Sequence, residues 1–92
     1  MTQRKLLITG ASQGIGAALV EQARAAGHQV TFTGRDQARV EALAASTGAH
    51  GLVADVTSGA DNQRTVDEAV KRMGGIDVLV NNAGYAYRAE IG

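Results

Sequence analysis

The chain has 92 residues, of which 45% are hydrophobic and 20% charged, and nine basic residues balance nine acidic ones. This composition fits one globular domain and excludes a disordered chain, and the zero net charge argues against nucleic acid or anionic membranes as partners. The sequence has no cysteine for disulfides or thiolate metal sites, and no apolar run near the ~20 residues of a membrane span. The apolar stretch near its start, Leu6 to Ile8, is too short for a signal peptide, so we expect a cytoplasmic protein.

Short apolar runs alternate with helical stretches along the whole chain. The apolar runs predict four strands, at Lys5–Thr9, Gln29–Thr33, Gly51–Val56 and Ile76–Val80. The stretches between them predict three helices, one over 15–26, one capped by Asp36 and running through Ala45, and one ending at Gly74 after Met73. This order predicts a partial Rossmann-type, doubly wound α/β fold, with four parallel strands in the order 3-2-1-4 and helices on both faces.

Helical spacing also predicts which side chains face the core. On the first helix these are Ile15, Ala18, Leu19, Ala23 and Ala26. The third helix has the most regular pattern, with Val66, Ala69, Val70 and Met73 at i, i+3, i+4 and i+7. Since the sequence has only one Phe, two Tyr and no Trp, the core is expected to consist of aliphatic residues and Ala.

A glycine-rich loop, Thr9-Gly10-Ala11-Ser12-Gln13-Gly14-Ile15-Gly16, joins the first strand to the first helix. Backbone N–H groups at a helix N-terminus favour an anion, and glycine lets a pyrophosphate approach the backbone closely. The loop lacks the Gly-Lys-Ser/Thr of a P-loop, and its Gly-x-x-x-Gly-x-Gly spacing differs from Gly-x-Gly-x-x-Gly. The alternative is a tight strand-to-helix turn that binds nothing.

The end of the second strand, Thr33-Gly34-Arg35, bears on the choice of dinucleotide. An acidic residue there would accept from the ribose 2′-OH of NAD, whereas the guanidinium of Arg35 favours the 2′-phosphate of NADP. We therefore expect NADP, with NAD as the less favoured cofactor. Gln13 does not add the basic loop residue that would strengthen this preference, and Arg35 as a solvated surface charge is the alternative.

Two further polar segments follow the third and fourth strands. Asp55 can accept from an exocyclic amine such as that of adenine while Val56 covers the ring, although Asp55 as a helix cap is an equal alternative. The segment Asn81-Asn82-Ala83-Gly84 offers two amides and room for a ligand, or forms a plain turn.

Together these four segments resemble the N-terminal part of the short-chain dehydrogenase/reductase family. The resemblance implies that the chain is the N-terminal part of a dinucleotide-binding domain over residues 1–92. It implies that the loop residues hold the pyrophosphate and its riboses, namely Gly10, Ser12, Gln13, Gly14, Ile15 and Gly16. It further implies a 2′-phosphate at Arg35 and adenine at Asp55 and Val56. A ribose would lie along Asn81, Ala83 and Gly84, and Asn82 would help to link the strands of the sheet. It further implies hydride transfer between NADP(H) and a small carbonyl or alcohol substrate in a full-length protein that assembles as a homo-oligomer.

The family's proton-transfer residues, a Ser and a Tyr-x-x-x-Lys pair, are not found in this sequence. Tyr85 and Tyr87 are followed four residues later by Ala89 and Ile91 rather than by Lys, so we assign no catalytic residue and expect the 92 residues alone to be inactive. We interpret the chain as truncated before a fifth strand, which would leave strand four as an open apolar edge. A noncatalytic module that pairs through this edge is the alternative function.

Overall fold

The computed structural model describes residues 3–55, 58–81 and 87–90. It has five strands in one sheet, three helices, and the strand order β3-β2-β1-β4-β5. The strands are β1 (Lys5–Thr9), β2 (Gln29–Gly34), β3 (His50–Val53), β4 (Val78–Asn81) and β5 (Tyr87–Glu90). The helices are α1 (Gly14–Ala25), α2 (Gln37–Thr47) and α3 (Gly59–Met73). The predicted α/β class, the three helices and the parallel order 3-2-1-4 are confirmed.

The fifth strand corrects one expectation. β1 to β4 are parallel, as three βαβ units in one sheet require, whereas β5 pairs antiparallel with β4, Leu79 opposite Ala89 and Val80 opposite Arg88. An antiparallel neighbour needs only a short connection, not a crossover helix. The outer edge of β4 is therefore covered by this chain and is not open.

Local signals fix most of the element boundaries. Asp36 caps α2 by accepting from the Arg39 N–H at 3.2 Å, as predicted, and Ser58 caps α3 by accepting from the Asp61 N–H. The predicted third strand is too long, because β3 ends at Val53. The fourth begins later than predicted, at Val78, and the N–H of Asp77 just before it donates to the Lys5 carbonyl.

The larger core lies between the sheet and helices α1 and α2. Phe32 at its centre is fully buried against the aliphatic side chains of β1 and both helices. The buried members of this cluster are Ile8, Ala11, Val20, Val30, Phe32, Val40, Leu43, Ala49 and Val80. The expected core of aliphatic residues and Ala is found except for Phe32, the single aromatic residue among them.

The opposite face of the sheet carries α3 over a smaller cluster of Leu7, Ala69 and Met73. The predicted inward face of α3 is half wrong, because Val66 and Val70 are 38% and 44% exposed while Thr65 is buried. The buried row, Thr65, Ala69 and Met73, advances by four residues along one side of the helix. Small Ala69 lets this row lie close to Leu7, and the two valines fall outside the contact.

The predicted inward face of α1 is also corrected, because Ala18 and Ala26 are exposed as well as its first residue, Ile15. Ile15 is 74% exposed, whereas Gly16 and Val20 are buried beneath the helix. The side chain of Ile15 follows the glycine loop directly and therefore lies at the edge of the sheet rather than above the core.

Candidate cofactor-binding site

The carboxyl ends of four parallel strands lie along one edge of the sheet. β1 ends at Thr9, β2 at Gly34, β3 at Val53 and β4 at Asn81, and neighbouring strands are in register. Ligands of open α/β sheets bind outside these carboxyl ends. Among the residues predicted to form the cofactor site, those that the structure describes all lie at this edge or in the loops that follow it.

The glycine loop is hydrogen-bonded to the end of β2. The N–H of Gly10 donates to Thr33 Oγ1 at 3.1 Å, and the N–H of Ala11 donates to the Thr33 carbonyl at 2.7 Å. Gly10 and Gly14 have φ of 64° and 63°, in the left-handed region that favours glycine. Because Thr33 uses the first donors of the loop, the N–H groups left to meet a ligand are those of the first turn of α1.

Ser12 packs against Gly34, where the loop meets β2. A Cβ at Gly34 would lie 2.5 Å from the Ser12 Cβ, 2.6 Å from its Oγ and 2.8 Å from Val40 Cγ2. Every other residue type would push the loop away from the strand. Gly34 therefore sets the position of Ser12 relative to Arg35, the next residue in the chain.

The outer side of the loop is open and suits a negatively charged group. A Cβ at Gly14 would meet nothing within 4 Å, and Gln13, Gly14 and Ile15 are exposed. The first turn of α1 contains no acidic residue that would neutralise the positive end of the helix dipole. A pyrophosphate fits this arrangement of donors, charge and space.

Arg35 and Arg39 together make the end of β2 basic. Arg35 is exposed, and Asp36 beside it is engaged as the α2 cap. Arg39 Nε lies 3.6 Å from Asp36 Oδ2, and Arg39 also donates to Gln13 Oε1, which links α2 to the glycine loop. The sequence reasoning missed Arg39, although its place four residues after Arg35 on a predicted helix was an available signal.

Asp55 is half-buried in the loop that follows β3. Its N–H donates to Asp61 Oδ2 at 2.8 Å, and the preceding N–H, of Ala54, donates to the Gly34 carbonyl at 3.0 Å. The alternative of Asp55 as the cap of α3 is wrong, because Ser58 occupies that position. Val56 lies outside the described residues.

Asn81 ends β4 beside the end of β1. The Thr9 hydroxyl donates to Asn81 Oδ1 at 3.2 Å, which places the amide next to the start of the glycine loop. Asn82, Ala83 and Gly84 lie outside the described residues, as does Tyr85.

The described part of the chain contains no group of three or more His, Asp or Glu side chains placed to hold a metal ion. The longest of its helices, α3, has 15 residues, and none combines the length and apolar character of a membrane span.

Comparison with known proteins connects this geometry to one family. The family model for the short chain dehydrogenases matches residues 4–91. A glucose 1-dehydrogenase of Gluconobacter oxydans is 42% identical over 88 residues, which are 89% of this chain and 33% of that protein. The chain spans about a third of the length of the curated relatives that it matches.

Solved structures agree with the sequence comparison. A short-chain dehydrogenase/reductase from Serratia marcescens superposes with a TM-score of 0.84 at 37% identity, over 90% of this chain and 37% of that one. A 3-ketoacyl-(acyl-carrier-protein) reductase from Brucella melitensis, solved in complex with NADH, has a TM-score of 0.78 and 32% identity, over 82% of this chain and 32% of that one.

Proposed function

The chain belongs to the short-chain dehydrogenase family of oxidoreductases, whose Rossmann fold binds NAD(P), and on this premise we propose that residues 1–92 are the cofactor-binding N-terminal part of such an enzyme domain. The main support for the proposal is the glycine loop. It is hydrogen-bonded to Thr33 of β2, and its outer side is open at the N-terminus of α1. The domain would transfer hydride between the nicotinamide and a small carbonyl or alcohol substrate.

The pyrophosphate would lie on the open side of the loop. The N–H groups at the start of α1 would donate to it, with the hydroxyl of Ser12 as a further donor, while Gly10, Gly14 and Gly16 keep the backbone close. Ile15, exposed and beside the loop, would cover the cofactor with an aliphatic side chain. Gln13 would lie at the rim, where its amide already accepts from Arg39.

We propose NADP in preference to NAD because two guanidinium groups lie at the end of β2. Arg35 would donate to the adenosine 2′-phosphate, and Arg39, four residues later, adds a second positive charge. Gln13 is not basic, and the relative from Brucella melitensis was solved with NADH, so the preference depends on these two arginines.

Asp55 would accept from the exocyclic amine of adenine, with Val56 against the ring. Asn81, held by Thr9, would lie along a ribose together with Ala83 and Gly84. No catalytic residue is assigned, since neither Tyr85 nor Tyr87 has a Lys four residues on. Homo-oligomeric assembly of the whole enzyme and its location in the cytoplasm stay predictions.

Calorimetric titration of the 92-residue chain with NADPH and with NADH tests this proposal. We expect NADPH to bind more tightly, and Arg35→Asp to weaken NADPH about tenfold more than NADH, because a charge-assisted hydrogen bond to the phosphate is lost. Arg39→Gln should also weaken NADPH binding more than NADH binding, but by a smaller factor. Arg72→Gln is the matched control, because Arg72 pairs with Glu68 on α3.

The possible results separate the cofactor preference from the function. Equal losses for both cofactors in Arg35→Asp would remove Arg35 from the 2′-phosphate and leave NAD(P) binding in place. A chain that binds neither cofactor would contradict the proposed function itself. Dehydrogenase turnover by the purified chain alone would contradict the assignment of no catalytic residue.

A further inference from the structure

The first turn of α3 departs from the usual capping arrangement. Ser58 and Asp61 occupy the N-cap and N3 positions, where the N3 carboxylate normally accepts from the backbone N–H of the N-cap residue. Here the Ser58 N–H donates instead to the Asp55 carbonyl at 3.0 Å, and Asp61 Oδ2 accepts from the Asp55 N–H at 2.8 Å. The carboxylate therefore fixes a residue of the strand-to-helix loop, three positions before the cap.

The second carboxylate oxygen of Asp61 links α3 to the end of β3 through Arg64. Asp61 Oδ1 lies 3.6 Å from Arg64 Nη2, and that nitrogen donates to the carbonyl of Val53, the last residue of β3, at 3.0 Å. Two side chains on successive positions of one helix face thus hold the backbone on both sides of Ala54. Ala54 itself is fixed to β2, through its N–H and the Gly34 carbonyl.

These bonds fix the backbone of Asp55 from both directions. Its N–H is held by Asp61 and its carbonyl by Ser58, so its Cα–Cβ direction is set relative to the sheet edge. Loops rarely hold a side chain in place by themselves, and a site residue on a loop needs such support for its orientation.

We propose that Asp61 is a positioning residue for recognition of the adenine base. Resting on the proposed function, the inference is that Asp61, supported by Arg64, aims the Asp55 carboxylate at the exocyclic amine of the cofactor. Without the bond from Asp61 the loop would still follow β3, but the carboxylate would no longer be held in line with the amine. A role of Asp61 confined to starting α3 would change stability and leave base discrimination intact.

The test compares two cofactors that differ at the exocyclic group alone. Calorimetry measures the dissociation constants of the 92-residue chain for NADPH and for nicotinamide hypoxanthine dinucleotide phosphate, which has a carbonyl in place of the amine. We expect the chain to prefer NADPH about tenfold, the effect of one hydrogen bond to a charged group. Asp61→Ala should bring this ratio to about one.

Two variants separate positioning from other effects. Asp61→Asn keeps an oxygen that can accept from the Asp55 N–H and should retain most of the preference. Asp67→Ala removes a carboxylate of the same helix that accepts from the Gln63 side chain at 3.0 Å, on the exposed side, and should leave the ratio unchanged. If Asp61→Ala does not fold, Arg64→Gln takes its place, because it removes the support of Asp61 and should lower the ratio.

The possible results separate the positioning role of Asp61 from the adenine role of Asp55 and from the proposed function. A folded Asp61→Ala chain, or Arg64→Gln in its place, that keeps the full preference would overturn the inference. A wild-type chain that binds both cofactors equally would overturn it together with the adenine role of Asp55, while the pyrophosphate site would stand. Binding of neither cofactor by the wild-type chain would instead remove the proposed function, and the inference with it.

Discussion

The two faces of the sheet are built from the same four parallel strands but differ in composition. Towards α1 and α2 the strands present aliphatic and aromatic side chains, with Ile8, Val30, Phe32 and Val80 in one buried cluster. Towards α3 the alternate positions of β2 carry Thr31 and Thr33, both buried.

The difference shows how one sheet can provide both a stable core and the candidate cofactor-binding edge. The α1 and α2 face is a continuous apolar core, whereas on the α3 face the hydroxyls of Thr9 and Thr33 take part in holding the loops at the carboxyl edge. Thr9 donates to Asn81, and Thr33 accepts from Gly10. Four experiments test this division, from the largest expected effect to the smallest.

Phe32→Ala tests the larger core and should have the greatest effect on stability. Its ring is fully buried, so its removal leaves a cavity bordered by Val40 and Gly51, and we expect the free energy of unfolding to fall by about 3–5 kcal/mol. Urea denaturation followed by circular dichroism measures the loss. A loss below about 1 kcal/mol would mean that this cluster is not the main core.

Gly34→Ala tests the junction between that core and the glycine loop. The new Cβ would collide with Ser12 and Val40, so we expect a loss of about 1–3 kcal/mol together with weaker NADPH binding. The matched control is Gly59→Ala at the start of α3, where a Cβ meets nothing within 4 Å. Equal stability and affinity in the two variants would contradict the close packing of Ser12 on Gly34.

The sequence was sufficient for the order of β1 to β4 and the three helices, and for the edge of the sheet at which the candidate site lies. Strand and helix periods are local properties, and the positions of Gly10, Arg35, Asp55 and Asn81 follow from which residues end each strand. The open edge predicted for β4 was wrong, because the pairing of β5 depends on a short connection and not on a hydrophobic period.

Contacts between elements were much harder to predict. The inward row of α3 passes through Thr65 rather than Val66, because contact with the sheet, not hydrophobicity alone, selects the buried side of a helix. Arg39 and Asp61 were missed for a related reason. Arg39 reaches the glycine loop, 26 residues before it, whereas Asp61 reaches the loop just before its own helix. Single-residue patterns do not show which backbone or side-chain group either residue will contact.

Matched Thr→Val substitutions in β2 test the polar face. Thr31 Oγ1 is buried with no hydrogen-bond partner among the described residues, so Thr31→Val should raise the free energy of unfolding by about 1 kcal/mol. Thr33→Val removes the acceptor for the Gly10 N–H and should lower it by about 1 kcal/mol. Urea denaturation of both variants gives the two values. Changes of the same sign would show that hydrogen bonding does not distinguish these threonines.

Val70→Ser tests the exposed side of α3 and should have the smallest effect. Val70 is 44% exposed, and Val and Ser have similar helix propensities, so the free energy of unfolding should change by no more than about 0.5 kcal/mol. Met73→Ala, three residues later in the buried row, should cost about 2–5 kcal/mol in the same urea experiment. A loss above about 1.5 kcal/mol for Val70→Ser would instead place this valine in the core, as its spacing in the sequence suggested. The α3 face would then be apolar like the other face, and the contrast between the two would rest on the threonines of β2 alone.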